Sequence, residues 1–142
     1  MTHPVVTSWL DAFIRTALAR DLAGHMAMIS PEVLVFGVPG FETLDYQDWY
    51  RQCEHEFPQG LIADLGYSQV IVRSADDNRI LFKCLETTRT SDGKELRQGV
   101  EMLLQRDGAA WMLKQLRLLP EDEARHDGLL TPPGRNTPVS VS

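Results

Sequence analysis

Two strand carboxylates of this chain are most worth weighing: Glu86 in "FKCLETTRT" and Glu101 in "GVEMLLQRDG". Every aspartate falls in a helix, at a helix start, in a turn or in the C-terminal segment, where capping and turn formation account for most of them. A carboxyl on a strand facing an apolar interior is different. Burial and a nearby cation can tune its pKa for proton transfer.

The expected hairpin registers sharpen the comparison. A two-residue turn at Asp107-Gly108 pairs Arg106 with Ala109 and sets Glu101 opposite Lys114. A four-residue turn over 91–94 pairs Glu86 with Gly99 and brings Arg97 diagonally near. Two readings stay open for both residues. One is an ordinary charged ladder, with cross-strand pairs of roughly 0.2–1 kcal/mol each. The other is a pocket acid. One β-bulge would exchange the faces.

Other chemistry-bearing residues are sparse. The histidines His3, His25, His55 and His126 all lie outside the expected strands. Each has a capping or surface role to weigh against catalysis, because a tuned base must first reach a substrate. Cys53 sits on the apolar stripe of a helix and Cys84 in mid-strand, with no histidine adjacent in sequence to activate either. No phosphate-binding glycine loop and no metal-type His/Cys spacing is present, so neither metal nor cofactor is expected.

The opposite face of the strands carries Gln98, Val100, Met102, Leu104, Trp111, Leu113, Gln115 and Arg117. It reads as a cavity lining with Gln98, Gln115 and Arg117 as polar anchors, or as core with a solvated rim. Phe13, Phe36, Trp49 and Cys53 are the expected apolar lining from the other elements. Ile80, Phe82, Leu103, Met112, Leu116 and Leu118 are expected on the Glu101 face. Two apolar faces on one sheet imply a covered second face, hence a homodimer through the sheet.

These residues need a scaffold. The apolar spacing predicts a helix over 5–20, a short helix capped by Asp21, a strand over 32–37 and a helix from Asp45 to about Phe57. Pro58 is expected to stop that helix. Four strands follow, near 65–73, 79–90, 95–106 and 110–119, separated by Asp/Asn/Gly turns. Helices first and strands last specify an α+β fold: a curved antiparallel sheet wrapped around the N-terminal helices, cone-shaped, with an internal pocket. Residues 1–119 form the one expected domain, and 120–142, rich in Glu, Asp, Pro and Thr, the expected tail.

The stretches "RDLAGHMAMISPEVLVFG", "LDYQDWYRQCEHEF" and "QRDGAAWMLKQLRLLP" resemble the nuclear transport factor 2-like superfamily, which includes the SnoaL-like cyclases, ketosteroid isomerase, scytalone dehydratase and limonene epoxide hydrolase. The resemblance covers about residues 5–119. It places Phe13 where the isomerase pattern has a tyrosine and Gly37 where it has a general base, so that chemistry is not expected. Its third position falls near Val100 or Glu101. The dehydratase pattern would need a pocket histidine, and the epoxide-hydrolase pattern an Asp-Arg-Asp set on inner strands.

The bulk properties agree with a globular chain: 142 residues, 43% hydrophobic, 24% charged, net charge −6. That balance argues against nucleic acid or an anionic membrane as partner. No apolar run approaches the ~18 residues of a membrane span, and no secretory leader is evident. Reduced thiols and a cytoplasmic location are the simplest expectation. The favoured function is binding of a small apolar or aromatic ligand. The alternatives are an isomerase, cyclase or dehydratase using Glu101 or Glu86, with Gln115, Arg117 or Tyr46 in support, and a non-catalytic association module.

Overall fold

A computed structural model describes residues 3–130. Helix α1 (Pro4–Leu18) starts with proline in its first turn, where no amide partner is lost, and with the His3 ring accepting from the Val5 amide. Val6, Trp9, Leu10, Phe13 and Ala17 recur every three or four residues and are all buried. Asp21 caps α2 (Leu22–Met26) by accepting from the Gly24 amide at 3.0 Å.

Strand β1 (Ile29–Phe36) begins three residues earlier than the sequence suggests and runs through Pro31. It can do so because β1 is an edge strand, where a missing amide costs no ladder bond. Helix α3 (Tyr46–Gln59) opens on a reciprocal capping box between Asp45 and Asp48, both bonds 3.0 Å. Pro58 does not stop α3 but sits in its last turn, and Gly60 at φ 61° closes it. Then come β2 (Ile62–Ala75), β3 (Arg79–Thr90), β4 (Glu95–Asp107), β5 (Ala110–Leu118) and the short α4 (Glu121–His126).

The sheet order is β1-β5-β4-β3-β2. It is curved, unclosed and antiparallel except at one seam, where β1 runs parallel to β5. Residues paired across strands share a face. The inner face carries Ile80, Phe82, Cys84, Val100, Met102, Leu104 and Leu113, each at most 1% exposed, and it receives the buried stripes of α1 and α3.

Three registers differ from the sequence expectation, and together they decide which residues meet. The β3–β4 connection spans 90–94, so Glu86 faces Gln98 rather than Gly99. The β4–β5 turn has Gly108-Ala109 at its tip, and a bulge at Lys114 moves Glu101 opposite Arg117 rather than Lys114. Strand β2 breaks register between Ser68 and Ile71 and again between Val72 and Ser74, with Gln69 at φ 55°. A one-residue slip exchanges the faces of a strand. Glu86, Ile80, Phe82, Leu116 and Leu118 therefore turn inward, and Gln115 and Arg117 turn outward, each opposite to its expected side, while Glu101 stays on the outer face and so does not serve as a pocket acid.

The segment from Pro120 onward is described as far as Leu130. Helix α4 lies on the outer face, where Leu119, Ala124 and Leu129 form a second small core with Ile71. Gly99 makes the seat: a Cβ there would stand 2.9 Å from Ala124 Cβ. Lys83, only 8% exposed, holds the Glu123 and Asp127 carboxylates at 3.0 and 2.8 Å. Arg117 bridges Glu101 (3.1 Å) and Glu123 (2.8 Å). Its bonds to Arg117 and Lys83 hold the Glu123 carboxyl down to about 2. No helix among the described residues is long and apolar enough to cross a membrane.

Candidate functional site

A cleft of about 670 Å³ opens between α3, the β1–α3 loop and the inner sheet face. Its apolar walls are Val35, Leu116 and Leu118 from the sheet, Val38, Phe41 and Leu44 from the loop, and Trp49 from α3. Asp48, Gln52 and His55, at positions i, i+4 and i+7 of α3, add a polar stripe with Arg51 beside it. Glu86 is the one strand residue lining the cleft that carries a charge.

Glu86 stands on the apolar inner face because of the β3–β4 register, and the two β2 breaks bring Tyr67 opposite it. An unbroken β2 register from Ala75–Ile80 would have set Tyr67 against Thr88. The Tyr67 hydroxyl donates to Glu86 Oε2 at 2.7 Å. Glu86 Oε1 makes no hydrogen bond among the described residues, and it is not sealed from solvent. One carboxylate oxygen is thus anchored and the other is without a partner among the described residues, on a side chain that lines the cleft. Burial pushes the Glu86 carboxyl above its ordinary range, and the Tyr67 bond partly offsets that. Burial, with the Glu86 charge and bond adding to it, pushes Tyr67 well above the usual phenol range. Tyr67 therefore stays a phenol and acts only as a donor to Glu86.

The remaining site expectations separate by face and depth. Trp49 lines the cleft. Phe13 lies below it in the core, stacked on Trp9 (4.6 Å) and His25 (4.2 Å) and edge-on to Trp49 (6.2 Å). Cys53 is buried on α3, and burial pushes its thiol up to about 11. Cys84 rises to about 12 for the same reason, so neither is a thiolate nucleophile. Gln98 faces inward beside Glu86, but its amide is committed to the carbonyls of Gly99 (2.9 Å) and Leu119 (3.0 Å).

Phe36, Gln115, Arg117 and Glu101 do not line the cleft. β1 alternates, so Val33 and Val35 point in while Phe36 pairs with outward Arg117. The Lys114 bulge sends Gln115 and Arg117 outward, and Glu101 is held in the ion network under α4. Tyr46, weighed as polar support, packs against the core and is absent from the cleft lining.

His55 reaches the rim, where the Gln59 side-chain amide contacts its ring at 3.1 Å. His25 is buried under the helices, 4% exposed and 2.9 Å from Thr16 Oγ1, and burial drives its pKa down to about 4. No cluster of three or more His, Cys, Asp or Glu side chains among the described residues could hold a metal ion. The sequence reading missed Tyr67 and the loop wall. The α3 polar stripe was visible as spacing, but nothing marked it as facing a cleft.

A family model described as a SnoaL-like domain matches residues 6–118. No curated protein matches the chain. Among solved structures, a candidate scytalone dehydratase from Novosphingobium aromaticivorans DSM 12444 superposes with TM-score 0.67 at 10% identity, covering 81% of this chain and 80% of that one. An NTF2-like protein of unknown function from Pseudomonas putida KT2440 gives TM-score 0.66 at 14% identity, over 80% and 82%. The Bdellovibrio bacteriovorus Bd1075 structure gives 0.65 at 11% identity, and this chain spans 40% of it. At these identities the likeness shows the fold.

Proposed function

Because the chain belongs to the SnoaL-like domain family of the nuclear transport factor 2-like superfamily, we propose that it binds a small, largely apolar molecule in the α3 cleft and that Glu86 exchanges a proton with it. The observation that carries this reading is the asymmetry of Glu86, which lines the cleft with Oε2 fixed by Tyr67 and Oε1 unpartnered among the described residues. A carboxyl with a raised pKa in an apolar wall holds or releases a proton closer to neutrality than an exposed one. Two reactions suit one such group. As an acid it protonates a departing hydroxyl, as in dehydration. As a base it takes a proton from carbon beside a carbonyl, as in isomerisation. A fold neighbour described as a candidate scytalone dehydratase favours the first.

The test is a thermal-shift screen of hydroxylated and carbonyl-bearing aromatic compounds against the wild-type chain and Glu86→Gln. Binding raises the midpoint by mass action. Hits whose affinity changes with pH in the wild type and not in Glu86→Gln support the reading. Hits indifferent to that substitution defeat the role of Glu86.

We also propose that two copies pair through the outer sheet face. Four of the six apolar residues expected there point inward, but Leu103 and Met112 remain, joined by Phe36 and by Leu34, which is 43% exposed. A chain that sediments as a monomer at micromolar concentration would refute the pairing.

A further inference from the structure

Phe41 is 59% exposed, yet it lines the cleft. It makes no ring contact among the described residues. Leaving a phenyl ring in water is unfavourable, at roughly 25 cal/mol per Å² of apolar surface. Phe41 is carried by the β1–α3 loop. Its base is pinned where Val35 and Leu44 exchange two backbone hydrogen bonds, 2.9 and 3.0 Å. Between them Gly37 and Gly40 hold φ of 90° and 88°, and a Cβ on Gly40 would meet nothing within 4 Å. On the facing wall Trp49 is braced, edge-on, by buried Phe13. Trp49 is braced from behind by an aromatic ring and Phe41 is not, with Glu86 lining the same cleft.

Building on the cleft as a ligand site, we propose that Phe41 and Trp49 are the two sides of an aromatic slot, and that the ligand is a planar aromatic molecule whose hydroxyl or carbonyl oxygen reaches Glu86. A flat ring offers a face to each wall, whereas a saturated ring of equal size offers neither wall a π-contact. Phe41 closes over the bound ring, buries its own face and expels water from Glu86 Oε1.

The experiment titrates 2-naphthol and decahydro-2-naphthol into the full chain, into Phe41→Ala and into Phe41→Leu, with calorimetry as the readout. Phe41 is exposed, so neither substitution threatens folding. Both should weaken 2-naphthol about tenfold, the order expected for one lost aromatic contact plus part of its burial. Decahydro-2-naphthol should change less than about twofold in Phe41→Leu, which keeps the apolar bulk. Equal losses for the two probes, or none, overturn the slot. A third variant, Val38→Trp, fills the cleft from the loop side and should remove both probes. If it does so while the Phe41 variants bind like wild type, the slot falls and the cleft reading stands. If the wild type binds neither probe, or Val38→Trp binds both unchanged, both fall together.

Discussion

Tyr67 and Glu86 lie nineteen residues apart in sequence and meet at 2.7 Å across β2 and β3, hydroxyl to carboxylate. Two register breaks in β2 set that pairing, and the β3–β4 connection turns it inward. The bond leaves Glu86 half-satisfied, with one oxygen committed and one available. That state is costly in a core and useful beside a cleft.

Replacing Tyr67 with Phe should therefore do two separable things. It removes a donor to a buried carboxyl, costing about 1–3 kcal/mol at neutral pH. It also removes the interaction that favours the charged form, so the Glu86 pKa should rise further. Ligand binding titrated against pH should show its carboxyl inflection displaced upward. An unmoved inflection would mean that the Tyr67 bond does not tune Glu86.

Glu86→Gln should stabilise the fold most at neutral and alkaline pH. The folded pKa of Glu86 is raised, so in this region the unfolded chain releases its proton first and stability falls as pH rises above the ordinary carboxyl value of 4.5. Below that value wild type and variant both carry a neutral group, and their difference should shrink. Urea melts at pH 4 and pH 7.5 test the sign.

His25 gives the opposite slope. Its folded pKa is lowered to about 4 from 6.5, chiefly by burial, so protonation favours the unfolded chain. The stability it contributes is complete above about pH 6.5, declines as pH falls toward 4 and levels off below. His25→Phe, stacked on Phe13 and edge-on to Phe57, should flatten stability across that window at the expense of the Thr16 hydrogen bond. Denaturation midpoints measured every half pH unit between 4 and 7.5 would reveal it.

Lys83→Ala should loosen α4 before it affects the cleft. The substitution leaves Glu123 and Asp127 without their shared cation at a mostly buried site, which costs about 3 kcal/mol. Amide exchange should accelerate over 121–130 and stay slow in α1. Gly99→Ala should displace the same helix by steric means, for about 1–3 kcal/mol.

Much of the fold was legible because its signals are local. Apolar spacing gave α1 and α3, Asp21 and Asp45 gave the helix starts, and the Asp/Gly turns gave the hairpins. The candidate site was less legible because it depends on parity. Glu86 and Glu101 stand out in the sequence as strand carboxylates to weigh, but no propensity reports a bulge at Lys114 or a broken register at Ser68–Ile71. Each break exchanges faces for everything beyond it, which is why the expected side of Gln115 and Arg117 differs from the observed one; Phe36 lies outward because β1 alternates from inward Val33 and Val35. Phe41 was hidden for another reason: a lone phenylalanine in a turn carries no pattern.

The bulge at Lys114 has a consequence for how this chain tolerates change. Among the described residues the Lys114 side chain reaches only Glu32, an exposed partner, so its identity should be nearly free. So should its presence be. Deleting that one residue would close the bulge: Gln115 would follow Leu113 in regular alternation, and Leu116, Arg117 and Leu118 would keep Met102, Glu101 and Val100 as partners and so keep their faces. The position is an insertion that the sheet has absorbed, and a family alignment would mark it by gaps beside an otherwise continuous strand.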